Sequence, residues 1–142
     1  MTDSVEVQAF LICDSVMRDS QTGKFIINGV FERVWAPAFP VGLPQLSAYF
    51  RIRVENKASP HTVALSLASP SGVREKMPPL GLAVSPNGIA EGSINIMGFP
   101  FHSPGEYRIE LLIDDTIVAG FTLVAAVLAT KPSVTGGSNV AN

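Results

Sequence analysis

Apolar and polar residues alternate with a period of two through most of this chain, the pattern of strands with one buried face. Residues 46–55 show it most cleanly. Leu46, Ala48, Phe50, Ile52 and Val54 are predicted to face inward, and Ser47, Tyr49, Arg51, Arg53 and Glu55 outward. In residues 103–126, Tyr107, Ile109, Leu111 and Ile113 alternate with Glu106, Arg108, Glu110 and Leu112. Asp114-Asp115 interrupts as a turn, and Ile117, Ala119, Phe121 and Leu123 resume the pattern. This predicts a β-hairpin with one apolar face. A hairpin alone is not stable in water, and burying each large side chain of its first strand is worth roughly 1.5–3 kcal/mol. That gain requires a second sheet.

The other segments supply one. Residues 5–17 predict a strand with Val5, Val7, Ala9, Leu11 and Cys13 on one face and Phe10 and Ile12 on the other. Residues 24–35 predict a second, with Asn28-Gly29 marking a bulge or a close backbone approach. Pro37, Pro40 and Pro44 argue against a central strand in residues 36–45, which read as a stiff loop. Strands follow at 61–68, 73–77 and 89–97, with a weak strand or a crossover at 80–84 after the Pro78-Pro79 bend, and residues 98–104 read as a loop. About eight strands with turns every eight to twelve residues predict an all-β fold. The form expected is a single antiparallel β-sandwich with immunoglobulin-like or related Greek-key connections. The expected domain is residues 1–130, with a flexible tail at 131–142 rich in Gly, Ser, Thr and Asn.

If each strand crosses the sandwich once and reverses at each connection, the segments 36–45 and 98–104 fall at the same end. Two crossings at Pro78-Pro79, instead of one bent crossing, would reverse that placement.

At 142 residues the chain fits one domain, and 46% hydrophobic against 15% charged content supports a sizeable core. Net charge is −2 and no basic stretch stands out, which argues against nucleic acid as the main partner. The single cysteine, Cys13, has no internal disulfide partner and predicts a cytoplasmic location. No apolar run approaches a membrane span, and the early apolar run lacks the basic start of a signal peptide.

Several short motifs occur in a fixed order: Phe10-Leu-Ile-Cys-Asp-Ser-Val16, Gly23-Lys24, Asn28-Gly-Val-Phe31, Ala36-Pro-Ala-Phe-Pro40 and Gly105-Glu-Tyr107 before the closing hairpin. In this order the chain resembles a family of small bacterial β-sandwich proteins classed as a domain of unknown function, over roughly residues 8 to 125. The resemblance implies the fold and a bacterial or phage source, and no activity.

Candidate chemistry is sparse. Cys13-Asp14 with His61 or His102 has the makings of a thiol nucleophile and base, but alternation with Leu11 and Ala9 points Cys13 into the core, where a thiol is inert. Asp114-Asp115 could belong to a calcium loop, yet two adjacent aspartates between strands are first of all turn residues. Tyr49, Arg51 and Arg53 form an outward face, read as solvated ion pairs in preference to an anion or carbohydrate platform. The aromatic residues in or beside the proline loops are the most informative surface feature. Trp35, Phe39, Phe99, Phe101 and His102 are predicted to cluster at one end, either plugging the sandwich or forming a docking patch for a protein partner. The expected function is a non-enzymatic protein-interaction or assembly module, self-association included, without cofactor or metal. The alternative is a ligand-binding sandwich for carbohydrate or a calcium-dependent surface.

Overall fold

Inward alternation becomes strand pairing along nearly the whole chain. The computed structural model describes residues 4–128, so the tail at 131–142 lies outside the described residues. Ten strands form: β1 (Val5–Arg18), β2 (Phe25–Val30), β3 (Arg33–Ala36), β4 (Val41–Val54), β5 (His61–Ala68), β6 (Arg74–Lys76), β7 (Leu80–Leu82), β8 (Ile89–Phe101), β9 (Gly105–Ile113) and β10 (Thr116–Val127). One sheet runs β2-β1-β4-β8, and the other β3-β10-β9-β5-β6 with β7 also on β5.

The count is ten rather than about eight. The predicted strand at 24–35 divides, because β2 stays beside β1 while β3 crosses to the other sheet and pairs with β10. That β3–β10 pair is parallel, and the other pairings are antiparallel. The chain passes from β4 to β5 in the other sheet, back to β8, and then to β9 and β10 beside β5, so that β1-β4-β8 faces β10-β9-β5. This is the Greek-key arrangement of an immunoglobulin-like sandwich. Tyr107, near the start of β9, adds that fold's tyrosine corner: its hydroxyl donates to Ser103 O at 2.7 Å and accepts from Ser103 N at 3.2 Å. Ile109 stands two residues on, where antibody domains carry a disulfide cysteine, and here it is buried.

The core is as the alternation of β4 and β9 predicts. Leu46, Ala48, Phe50, Ile52 and Val54 meet Tyr107, Ile109, Leu111 and Ile113 in one cluster. Two bulges change which residues join it. β1 shifts register between Val7 and Ala9, so Phe10 and Ile12 turn inward and Leu11 and Cys13 turn outward. β10 shifts between Ile117 and Ala119, leaving Ile117 half exposed while Leu123 stays buried. In each case one extra residue reverses every side chain beyond it.

The segments 36–45 and 98–104 are largely strand, not loop. Val41, Gly42, Leu43 and Gln45 pair with Phe101, Pro100, Phe99 and Met97. The ladder skips Pro44, which has no N–H to give. β1 has left β4 after the Cys13–Ser47 pair, so this stretch is a two-stranded ribbon and not a central strand. The shared register brings both segments to one end of the sandwich, as the one-bent-crossing count predicts. β6 and β7 both run antiparallel to β5, with Pro78-Pro79 between them.

The β1–β2 hairpin bends back over its own sheet. Phe25 pairs beside Arg18, seven residues beyond Leu11, which pairs with Tyr49. Seven extended residues span roughly 23 Å, yet the Phe25 and Tyr49 ring centroids are 5.8 Å apart. Gly29 sits in this hairpin at φ 67°, and a Cβ there would collide with the Asp14 carboxylate, so the close approach read from Asn28-Gly29 is real.

Candidate functional site

At the end where β8 passes into β9, the β5–β6 hairpin and the β8–β9 corner enclose a cleft of about 340 Å³. Leu67, Phe99, Pro100 and Tyr107 line it together with Val73, Ser69, Ser71, Glu75, His102 and Ser103. The walls are held together at Gly105, where a Cβ would sit 2.7 Å from Pro70 Cγ. The ring chemistry of the floor is already committed. Phe101 packs against Phe99 at 4.6 Å with the rings tilted by 38° and meets the edge of Tyr107 at 4.9 Å, and the Tyr107 hydroxyl is occupied by the Ser103 backbone. The rim is polar: the Ser69 and Ser71 hydroxyls bond each other at 2.9 Å, and His102 is exposed.

The five aromatic-end candidates therefore separate. Phe99 and Phe101 are core residues and act as the plug. Phe39 is half-buried against the core, Trp35 is 54% exposed on β3 with the Arg33 guanidinium 5.8 Å from its ring, and His102 lies on the cleft rim. Only His102 and Phe99 of the five line the cleft. Sequence reasoning missed Leu67, Val73 and the serine pair as its lining, because the β5–β6 turn carried no signal beyond a tight turn.

The Tyr49, Arg51 and Arg53 face is internally paired. Tyr49 donates to Glu91, Arg51 Nη1 lies 3.3 Å from Glu91 and its Nε donates to Gln8 at 2.7 Å, and Arg53 lies 3.5 Å from Glu6. Burial, the bond to Glu91 and its charge push the Tyr49 hydroxyl up to about 12. Cations already matched to carboxylates make a weak anion platform, and the one aromatic ring on that face is covered by Phe25.

Cys13 is buried, though not in the core between the sheets. The β1 bulge turns it to the outer face of its sheet, where its thiol lies 3.6 Å from both Ser15 O and Ser47 O. Burial, with the nearby Asp14 charge, raises its pKa. Native Cys13 is expected to react with an alkylating reagent only as fast as the protein unfolds. Rapid stoichiometric labelling of the folded protein, followed by mass spectrometry, would contradict this.

Asp114-Asp115 is the predicted turn, with φ of 52° and 65°, the left-handed pair of a two-residue hairpin. Asp114 accepts from His61 Nδ1 at 2.7 Å and from Thr62 N at 2.9 Å, while His61 Nε2 donates to Asn56 O at 2.6 Å. Both ring nitrogens of buried His61 face acceptors, an arrangement satisfied by the imidazolium. Lys76 pairs with Asp115. Burial opposes ionisation of Asp114, but the bonds from His61 and Thr62 prevail and lower its pKa. Glu110, buried on β9, is lowered first by its bond to Arg74, against the cost of burial, and further by Arg108. Carboxyls with lowered folded pKa stabilise above their unfolded pKa and lose that contribution as pH falls through the folded value. Stability is therefore expected to decline below the ordinary Glu value of 4.5. Urea midpoints measured down a pH series test this, with Glu110→Gln flattening the decline; an unchanged slope in that variant rejects the assignment to Glu110.

Fold and site define a small immunoglobulin-like β-sandwich domain with a cleft at one end. The chain belongs to the family of unknown function DUF6941, which matches residues 8–126. No curated protein matches it. Among solved structures it is similar to the Pseudomonas fluorescens alkylpurine DNA glycosylase AlkC bound to DNA containing an abasic site analog, with TM-score 0.59 and 7% identity over 89% of this chain and 31% of that one. It is also similar to a β-glucosidase from Listeria innocua, with TM-score 0.52 and 10% identity over 87% of this chain and 16% of that one. An immunoglobulin-like protein from Pseudomonas aeruginosa matches at TM-score 0.41 and 16% identity, over 87% and 97% of the two chains. The chain spans less than a third of each of the first two neighbours. At these identities the likeness is one of fold. Among the described residues no helix is long and apolar enough to cross a membrane.

Proposed function

We propose that this domain is a non-enzymatic protein-interaction module, and that its end cleft receives an apolar side chain of a protein partner. The cleft itself carries the reading. Its volume of about 340 Å³ is near the small end of ligand pockets, enough for one or two side chains. Its walls offer apolar contact from Leu67 and Val73, and its rim offers hydroxyls, Glu75 and His102 to orient a polypeptide. A sugar-binding reading is weaker here, because sugars stack on exposed ring faces and Phe99 and Tyr107 are buried. The single unpaired cysteine supports a reducing, cytoplasmic setting, and the family resemblance supports a bacterial one.

A photoreactive residue at His102 is expected to form one discrete protein adduct in the source cell. Ser71→Trp, which fills the cleft, abolishes that adduct, and the same photoreactive residue at Lys57 forms none. Equal adduct formation from both positions, or persistence in Ser71→Trp, rejects the cleft as the docking site.

A further inference from the structure

β8 is the edge of the four-stranded sheet, and among the described residues its pairing partner is β4. It has thirteen residues, whereas the other edge strands β2, β3, β6 and β7 have six, four, three and three. Long edges are ordinarily blunted by lysines, bulges or inward charges. β8 has no Lys or Arg, and its one charge, Glu91, is held by Tyr49 and Arg51. Its register on β4 is constant from Arg53↔Ile89 to Gln45↔Met97.

The direction of its backbone groups follows from two bonds. In an antiparallel pair, alternate residues turn both N–H and C=O to the same side. Gly88 O accepts from Val54 N at 2.8 Å, so Ala90, Gly92, Ile94 and Ile96 also face β4. Ile89 O points the other way and accepts from Ser85 N at 2.8 Å. The N–H and C=O of Glu91, Ser93, Asn95 and Met97 therefore face the open side. Ser93, Asn95 and Met97 are exposed, Met97 by 70%.

We propose that two copies of this chain pair antiparallel through β8, joining their four-stranded sheets into one of eight. The two-fold axis passes midway between the two Ile94 residues. In that register Glu91 pairs with Met97 of the second copy and Ser93 with Asn95, each pair twice, and all four open residues exchange both backbone bonds, about eight in total. The two Ile94 side chains meet across the axis with Cβ atoms about 4.5–5.5 Å apart, extending the apolar layer between the sheets. No charge faces its own copy: each Glu91 lies against a methionine, and the two carboxylates are roughly 20 Å apart along the strands.

Sedimentation velocity over a concentration series tests this. Wild-type protein is expected to shift from the 15.1 kDa chain mass to twice that value. Ser93→Pro removes an N–H from the open side only and is expected to stay monomeric with unchanged circular dichroism. Asn95→Lys, which loses no backbone bond, is expected to do the same if the proline variant fails to fold. Mixing Ser93→Cys with Asn95→Cys protein under mild oxidation is expected to give the mixed disulfide in preference to either homodimer. Wild type monomeric at every concentration, a dimer that survives Asn95→Lys, or preferential 93–93 coupling overturns the proposal.

Discussion

Phe101→Ala is expected to destabilise the fold by about 3–5 kcal/mol. Phe101 is fully buried, and its ring holds Phe99 on one side and Tyr107 on the other. Removing it loses the transfer free energy of a phenyl group and two aromatic contacts, each worth about 0.5–1.5 kcal/mol beyond area. The tyrosine corner limits how far the cavity can collapse, since Tyr107 is tied to Ser103 by two hydrogen bonds. A urea titration reads the loss as a lower midpoint with unchanged slope. A loss below about 1 kcal/mol would mean that the ring is a surface element and not a plug. Trp35→Ala is the matched comparison: the same end of the sandwich, an aromatic side chain, but half exposed. It is expected to change the midpoint little.

Leu111→Ala is expected to cost about 2–5 kcal/mol. Leu111 is fully buried toward the C-terminal end of β9, paired with Leu65 on β5 and Ala119 on β10. Three paired backbones surround it, so relaxation into the space is restricted and the cost should fall in the upper part of that range. Against a total stability of about 5–15 kcal/mol for a domain, the variant is near the limit of folding at elevated temperature. A cost below about 1 kcal/mol in the same titration would remove this face of β9 from the core.

The inward faces of β4 and β9 were legible because each runs in period two with no interruption, and a half-buried strand leaves that trace in any sequence. The Asp114-Asp115 turn was legible for the same reason, since aspartate tolerates the left-handed region that a two-residue hairpin needs. Period two misleads in β1 after Gln8 and at Ile117 beside Val118, because a bulge interrupts each strand. A bulge leaves no compositional mark and reverses everything beyond it. The proline segment at 36–45 reads as loop because Pro37, Pro40 and Pro44 cannot sit in a central strand. That rule holds, but β4 is not central where β1 has already parted from it.

The candidate site shows the same division. Phe99 and Phe101 share an end with Trp35, as strand parity predicts, yet parity says nothing about which rings turn inward. The cleft arises where the β5–β6 turn meets the β8–β9 corner, 30 or so residues apart along the chain, and loop-to-loop contact of that kind has no local signal. The open backbone of β8 is likewise invisible to pattern, because edge position is set by which strands pair and not by what β8 itself contains.

By itself the sequence determined the all-β class, the inward faces of β4 and β9 and the closing turn. Each is dictated by local geometry: side-chain period and permitted backbone angles. The tertiary structure alone decided the split of β2 from β3, the covering of Tyr49 by a bent hairpin, the paired state of the outward arginines, the cleft, and the open edge. Each of these depends on contacts between residues distant along the chain, whose free energy no single segment carries.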